Sequence, residues 1–154
     1  MKDIMKYIAI AGSSAFFGVM LTIGAGLIPF FYLAGPTAFE QWFSAYFVFL
    51  LPGVLLTSLP ALFSSLTLMR RSAKSSLVRV LWRNTAISIA VVYAITSVIH
   101  LPLNILFWSM ELSDEVIIQN LGFWSAAHLL RLAGALVASY FAFKAVSISS
   151  SGKK

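Results

Sequence analysis

The chain has 154 residues, of which 60% are hydrophobic and only 10% charged, with a mean hydropathy of +0.91. An ordinary soluble domain is about 45–50% apolar and about 25% charged, so too little polar surface remains here to cover a globule in water. That excludes a soluble enzyme, a disordered chain and a nucleic-acid-binding domain; the net charge of +6 is expected to report membrane topology and anionic lipid rather than DNA.

A membrane helix needs roughly 20 apolar residues, and four apolar runs of that order follow one another, at about 7–35, 43–69, 86–108 and 121–146. The first follows Lys2 and Lys6, as a signal peptide would, but it continues well past the roughly 7–15 residues of a signal h-region. The connections, at 36–42, 70–85 and 109–120, are too short to fold alone. The expected fold is therefore all-α, a single integral membrane domain built as an up-down-up-down four-helix bundle.

Charge sets the expected orientation. Ten of the eleven cations lie before the first run, in the second connection or at the C-terminal end: Lys2, Lys6, Arg70, Arg71, Lys74, Arg79, Arg83, Lys144, Lys153 and Lys154. Four of the five acids, Glu40, Glu111, Asp114 and Glu115, lie on the other side. The positive-inside rule then places both termini in the cytoplasm, with the protein multi-pass in the plasma membrane.

Along the first helix, Ser14, Gly18, Thr22 and Gly26 recur every four residues, a spacing that lets another helix approach closely. Pro29, Pro52 and Pro60 free backbone carbonyls that need partners inside the bundle. Trp42, Trp82, Trp108 and Trp124 fall near expected helix ends, as in an aromatic belt. Residues 149–151 read as a loose tail, and Glu40 and the Glu111–Glu115 cluster as a solvated outer surface.

Polar residues at membrane depth are costly and mark function by default. The third helix carries His100-Leu-Pro-Leu-Asn104, and the fourth carries Trp124-x-x-x-His128-x-x-Arg131. Within each helix these spacings share one face. At 1.5 Å per residue, His100 lies roughly 12 Å and His128 roughly 10 Å below the outer ends, with Arg131 at roughly 15 Å. Both histidines thus occupy one layer, with Asn104 above and Arg131 below, and the two faces are expected to meet.

Three chemistries suit that set. In the first, an oxygenase acting on a flat, lipophilic, acidic substrate, Arg131 holds a developing enolate or phenolate in low dielectric. There His128 moves the proton, Asn104 orients the same oxygen, and Trp124 stacks. Such a carbanion reacts directly with dioxygen, so no cofactor is required. In the second, His100 and His128 ligate haem b axially. In the third, the two histidines and a carboxylate from Glu40 or Glu111 hold a metal ion. Against all three stands a non-catalytic subunit of a larger membrane assembly or homo-oligomer. Transport would need an intramembrane carboxylate and an inverted repeat, and neither is evident.

The Gly-rich first helix ending in Ile28-Pro29-Phe30 and the two motifs of the third and fourth helices resemble the anthrone oxygenase-like family of small four-helix membrane proteins. That resemblance implies a four-helix membrane fold and an oxygenase-like pocket in the outer half of the bundle. The fungal members are associated with dioxygen-dependent oxidation of anthrones without an established cofactor. The reading of the residues themselves takes Asn104, His128 and Arg131 as catalytic, and Trp124, His100 and Pro29 as substrate-binding, with the pocket between the third and fourth helices closed by the first around Pro29. His100 stands where the family motif often has Asn.

Overall fold

In the computed structural model, which describes residues 2–108 and 112–151, four long helices pack as a bundle. They are α1 (Ile4–Ala34), α2 (Pro36–Arg71), α3 (Leu77–Trp108) and α4 (Asp114–Ser149), each long and apolar enough to cross a membrane. The protein is a multi-pass integral membrane protein. Glu111, Lys153 and Lys154 lie outside the described residues.

The helices form a closed ring of neighbours: α1 packs on α2 and α4, and α3 packs on α2 and α4. Large apolar side chains face outward along all four, among them Leu33, Leu56 and Val98 at 75% exposure or more. In water that surface would aggregate; in lipid it is the ordinary exterior, because lipid tails are as apolar as leucine.

The connections are shorter than the sequence suggests. Residues 36–42, read as a loop, are helical: Gly35 (φ 83°) makes the turn in a backbone region that side chains other than glycine rarely adopt. Pro36 then occupies the first helical turn, where its missing N–H costs nothing. Between α2 and α3 only residues 72–76 are non-helical, and Ser76 caps α3 by accepting from the Arg79 amide at 3.2 Å. α4 begins at Asp114, so residues 114–120, read as part of the third connection, are helical.

Close packing is not where the small-residue stripe suggested. Ser14, Gly18, Thr22 and Gly26 are all exposed; Ser14 meets α4 only through a 3.0 Å hydrogen bond between its hydroxyl and that of Ser139, and a Cβ on Gly18 or Gly26 would meet nothing within 4 Å. Gly12 and Gly134 take the close approaches instead. A Cβ at Gly12 would sit 2.7 Å from the Thr57 carbonyl oxygen of α2, and one at Gly134 would sit 2.7 Å from Val92 Cγ2 of α3. On α4, Ala135, Ala138, Ala142 and Ala145 are fully buried. This alanine row, spaced three, four and three, is the small face that admits its neighbours.

The tryptophans also divide. Trp108 is exposed, as a belt residue would be, but Trp82 and Trp124 are buried within the bundle, at 1% and 5% exposure. Aromatic packing concentrates at one end, where Phe31, Phe39, Phe43 and Phe107 meet edge-on or tilted with centroids 4.8–6.5 Å apart.

Prolines reshape two helices in the same way. Ahead of Pro29 the chain makes one π-helical stretch, Ile23–Leu27, and the Ile28 amide reaches back five residues to the Ile23 carbonyl. Ahead of Pro102 it does so again over Thr96–His100, with the Leu101 amide bonded to the Thr96 carbonyl. A proline cannot donate to the carbonyl four residues back and its ring crowds it; widening the preceding turn accommodates both. Single π turns cluster at functional sites, and these two carry the residues discussed next.

Candidate functional site

The polar faces of α3 and α4 do meet. His100 is fully buried at the end of its π turn and His128 fully buried on α4, with ring centroids 6.2 Å apart. Trp124 touches both: its ring lies 5.2 Å from His100 edge-on and 5.6 Å from His128 at 9°, an offset stack one helical turn long. Its indole Nε1–H donates to Asn104 Oδ1 at 2.9 Å. That bond fixes the amide: the Asn104 oxygen is engaged, and its NH2 remains as a donor.

A third helix completes the site through a residue the sequence reading did not single out. Met20 of α1 is fully buried; its backbone carbonyl lies 2.9 Å from His128 Nε2, and its sulfur accepts from Arg131 Nη2 at 3.5 Å. A carbonyl only accepts, so Nε2 carries the proton and, in the neutral ring, Nδ1 holds the free lone pair. His128 Nδ1 has no hydrogen-bond partner, nor does either nitrogen of His100. Gly24, within the first π turn, lies against the same ring: a Cβ there would reach it at 3.5 Å, an ordinary van der Waals contact. Nothing in the sequence marks the Met20 backbone carbonyl as a hydrogen-bond partner.

Arg131 is 6% exposed, and among the described residues no carboxylate compensates its charge. Its Nε has no partner, and a thioether is a weak acceptor for the guanidinium. With Asn104, Trp124 and Thr96 it lines an internal cavity of about 60 Å³. The Thr96 hydroxyl donates to the Val92 carbonyl at 2.7 Å, so the free donors facing this space come from Arg131 and Asn104.

Three expected members sit apart from that cavity. His100 and His128 do not line it; they lie behind Trp124. Pro29 is exposed on the outside of α1 and lines no cavity described here, while Ile23, Leu27 and Phe31 form the α1 wall in its place.

A haem does not fit this arrangement. Axial ligation needs a slot, open to both imidazoles, for the macrocycle between them; neither histidine lines any cavity described here, and Trp124 packs against both rings. A metal ion fares no better: among the described residues no three His, Cys, Asp or Glu side chains converge. Glu40 is half-buried with Oε1 unpartnered but joins no such group, and Glu111 is outside the described residues.

No protein-family model, no curated protein and no solved structure matches the chain.

Proposed function

We propose that this protein is a membrane-embedded oxygenase acting on a small lipophilic aromatic substrate with an acidic oxygen, of the anthrone or quinol type, with dioxygen as co-substrate. The observation that carries the reading is Arg131: a buried, uncompensated guanidinium lining a cavity inside an apolar bundle. A fixed cation at low dielectric stabilises an enolate or phenolate far more than water does.

The remaining roles follow from the bonds already made. The Asn104 NH2 donates to the oxygen that Arg131 holds, its own oxygen being tied to Trp124. The Trp124 edge frames the aromatic ring. His128 Nδ1 takes the proton, through a bridging water because the imidazole is set back from the cavity. For an anthrone-type methylene the step balances without further reductant. The base removes one C–H proton, the carbanion carbon forms a bond to dioxygen, and the hydroperoxide loses water to leave a carbonyl. One dioxygen is consumed and one water released per substrate.

Oxygen uptake with an anthrone-type compound, on protein in nanodiscs, tests this. Arg131→Leu is expected to abolish uptake while the helical circular dichroism stays unchanged. An active Arg131→Leu variant would sink the mechanism.

A second reading, an accessory subunit of a larger membrane assembly, draws on the outward-facing stripe of Ser14, Gly18, Thr22 and Gly26. Native separation in mild detergent distinguishes them: retention of foreign subunits favours the accessory role, and a homogeneous small species favours an autonomous enzyme.

A further inference from the structure

The cavity beside Arg131, about 60 Å³, is too small to enclose a whole lipophile. Sites that bury a drug-sized ligand run to about 300–1,000 Å³. The inner space accepts the oxygen-bearing edge of a ligand, and the bulk must lie elsewhere.

One adjoining space has the size. A groove of about 530 Å³ runs along the outside of the bundle between α1 and α2, walled by Gly18 and Thr22 on one side and Phe49 and Gly53 on the other. Gly18, Thr22 and Phe49 are exposed, within segments that the apolar spans place in lipid. The Thr22 hydroxyl is turned onto the Gly18 carbonyl at 3.0 Å, so the walls present an apolar surface. The α1 residues that line it extend from 15 to 27, about 18 Å at the helical rise. Ile23, Leu27, Trp42 and Leu50 line both the groove and the inner cavity. A single layer of side chains therefore separates a lipid-facing channel from a guanidinium that is 6% exposed and has an unpartnered Nε.

We infer that the site is bipartite. The acidic head of the substrate sits at Arg131 and Asn104, and an apolar chain attached to it lies in the α1–α2 groove, passing between the shared wall residues Ile23, Leu27, Trp42 and Leu50, whose side chains must part to admit it, so the ligand arrives sideways from the bilayer. The inference rests on the proposed role of Arg131 and adds the substrate class: an acidic phenol or enol bearing an apolar tail. In lipid the tail gains little from burial alone, since both environments are apolar. The groove orients the ligand and admits it, and the head supplies the affinity.

The probe for the test is a dodecylphenol carrying a photoreactive diazirine midway along its chain, added to the intact protein in nanodiscs. A headless diazirine alkane measures background labelling of the lipid-facing surface. The phenol probe is expected to label the groove peptides, around Gly18 and around Gly53, well above that background. Cresol is expected to compete for the label, and Arg131→Leu to lose the excess. Gly18→Leu fills the groove where a Cβ meets nothing within 4 Å; it is expected to lose groove labelling while cresol still quenches tryptophan fluorescence. Thr22→Leu, also exposed, serves the same purpose should the first variant misfold. Cresol-sensitive labelling spread evenly over all four outer faces would overturn the groove and leave the Arg131 site standing. A probe that cresol does not displace, with no quenching of the wild type, would overturn both.

Discussion

A charged side chain at the centre of a bilayer costs about 3 kcal/mol or more, and at Arg131 neither a carboxylate of the described residues nor a complete set of acceptors offsets it. An arginine serving only to tie up proline-freed carbonyls would show them as acceptors; the bond found for it is to the Met20 sulfur. His128 has separable structural and chemical parts. Its Nε2–H bond to the Met20 carbonyl joins α4 to α1, so His128→Ala, which removes the bond and leaves a cavity, is expected to destabilise the protein by about 2 kcal/mol or more in reversible detergent unfolding. His128→Gln keeps an amide donor and should unfold close to wild type, yet lose oxygen uptake because no Nδ1 remains. Equal activity in His128→Gln and wild type would remove His128 from proton transfer. Glycine positions make a sharper contrast. Gly12→Ala forces a Cβ against a backbone carbonyl at 2.7 Å, with an overpacking cost of about 1–3 kcal/mol, whereas Gly18→Ala should be silent in the same assay.

Within the helices, the number of spans and their order were legible because each is a long apolar run with charges at its ends. Their limits were not. Residues 36–42 mix Pro, Thr, Glu and Gln and read as a loop, yet a glycine at positive φ and a proline in the first turn suffice to restart the helix at once. Four-residue spacing told that Ser14, Gly18, Thr22 and Gly26 share a face; it could not tell which way that face points, and the alanines of α4 took the packing role. The polar set of α3 and α4 was legible as a pair of faces, because a buried ion or imidazole stands out in an apolar run. The π turns were not, although a proline follows each one by a single residue. They make α3 testable as an element. Pro102→Ala restores an amide that can bond the Val98 carbonyl, so an unbroken α-helix competes with the π turn that carries His100. Removing the π turn is expected to leave stability unchanged or raised. It should also shift Trp124 fluorescence, because His100 leaves its position 5.2 Å from the indole. An unchanged emission spectrum would show that the π turn does not depend on Pro102.

For the whole molecule the expected orientation follows from charge alone. The connection at 72–76 contains Lys74 and is flanked by Arg70, Arg71 and Arg79, and the one before α4 leads into Asp114 and Glu115. Because the chain has no cysteine, single replacements report topology cleanly. Ser75 and Ser113 are both exposed; in intact cells an impermeant maleimide is expected to label Ser113→Cys and to spare Ser75→Cys until the membrane is permeabilised. The reverse pattern would invert the bundle and put the Arg131 cavity in the inner half of the bilayer. In either orientation α1 is the helix that joins the site together, bringing the Met20 carbonyl and sulfur to His128 and Arg131 of α4 and one wall of the groove to α2.

An oxygen electrode, with wild type, Arg131→Lys and Arg131→Leu in nanodiscs and an anthrone-type substrate, decides whether Arg131 holds an acidic lipophile for oxidation by dioxygen. The wild type is expected to consume one dioxygen per substrate, Arg131→Lys to take up less because its point charge lacks the planar fork of donors, and Arg131→Leu none above the empty-nanodisc rate. Uptake by Arg131→Leu equal to that of the wild type would remove Arg131 from the chemistry.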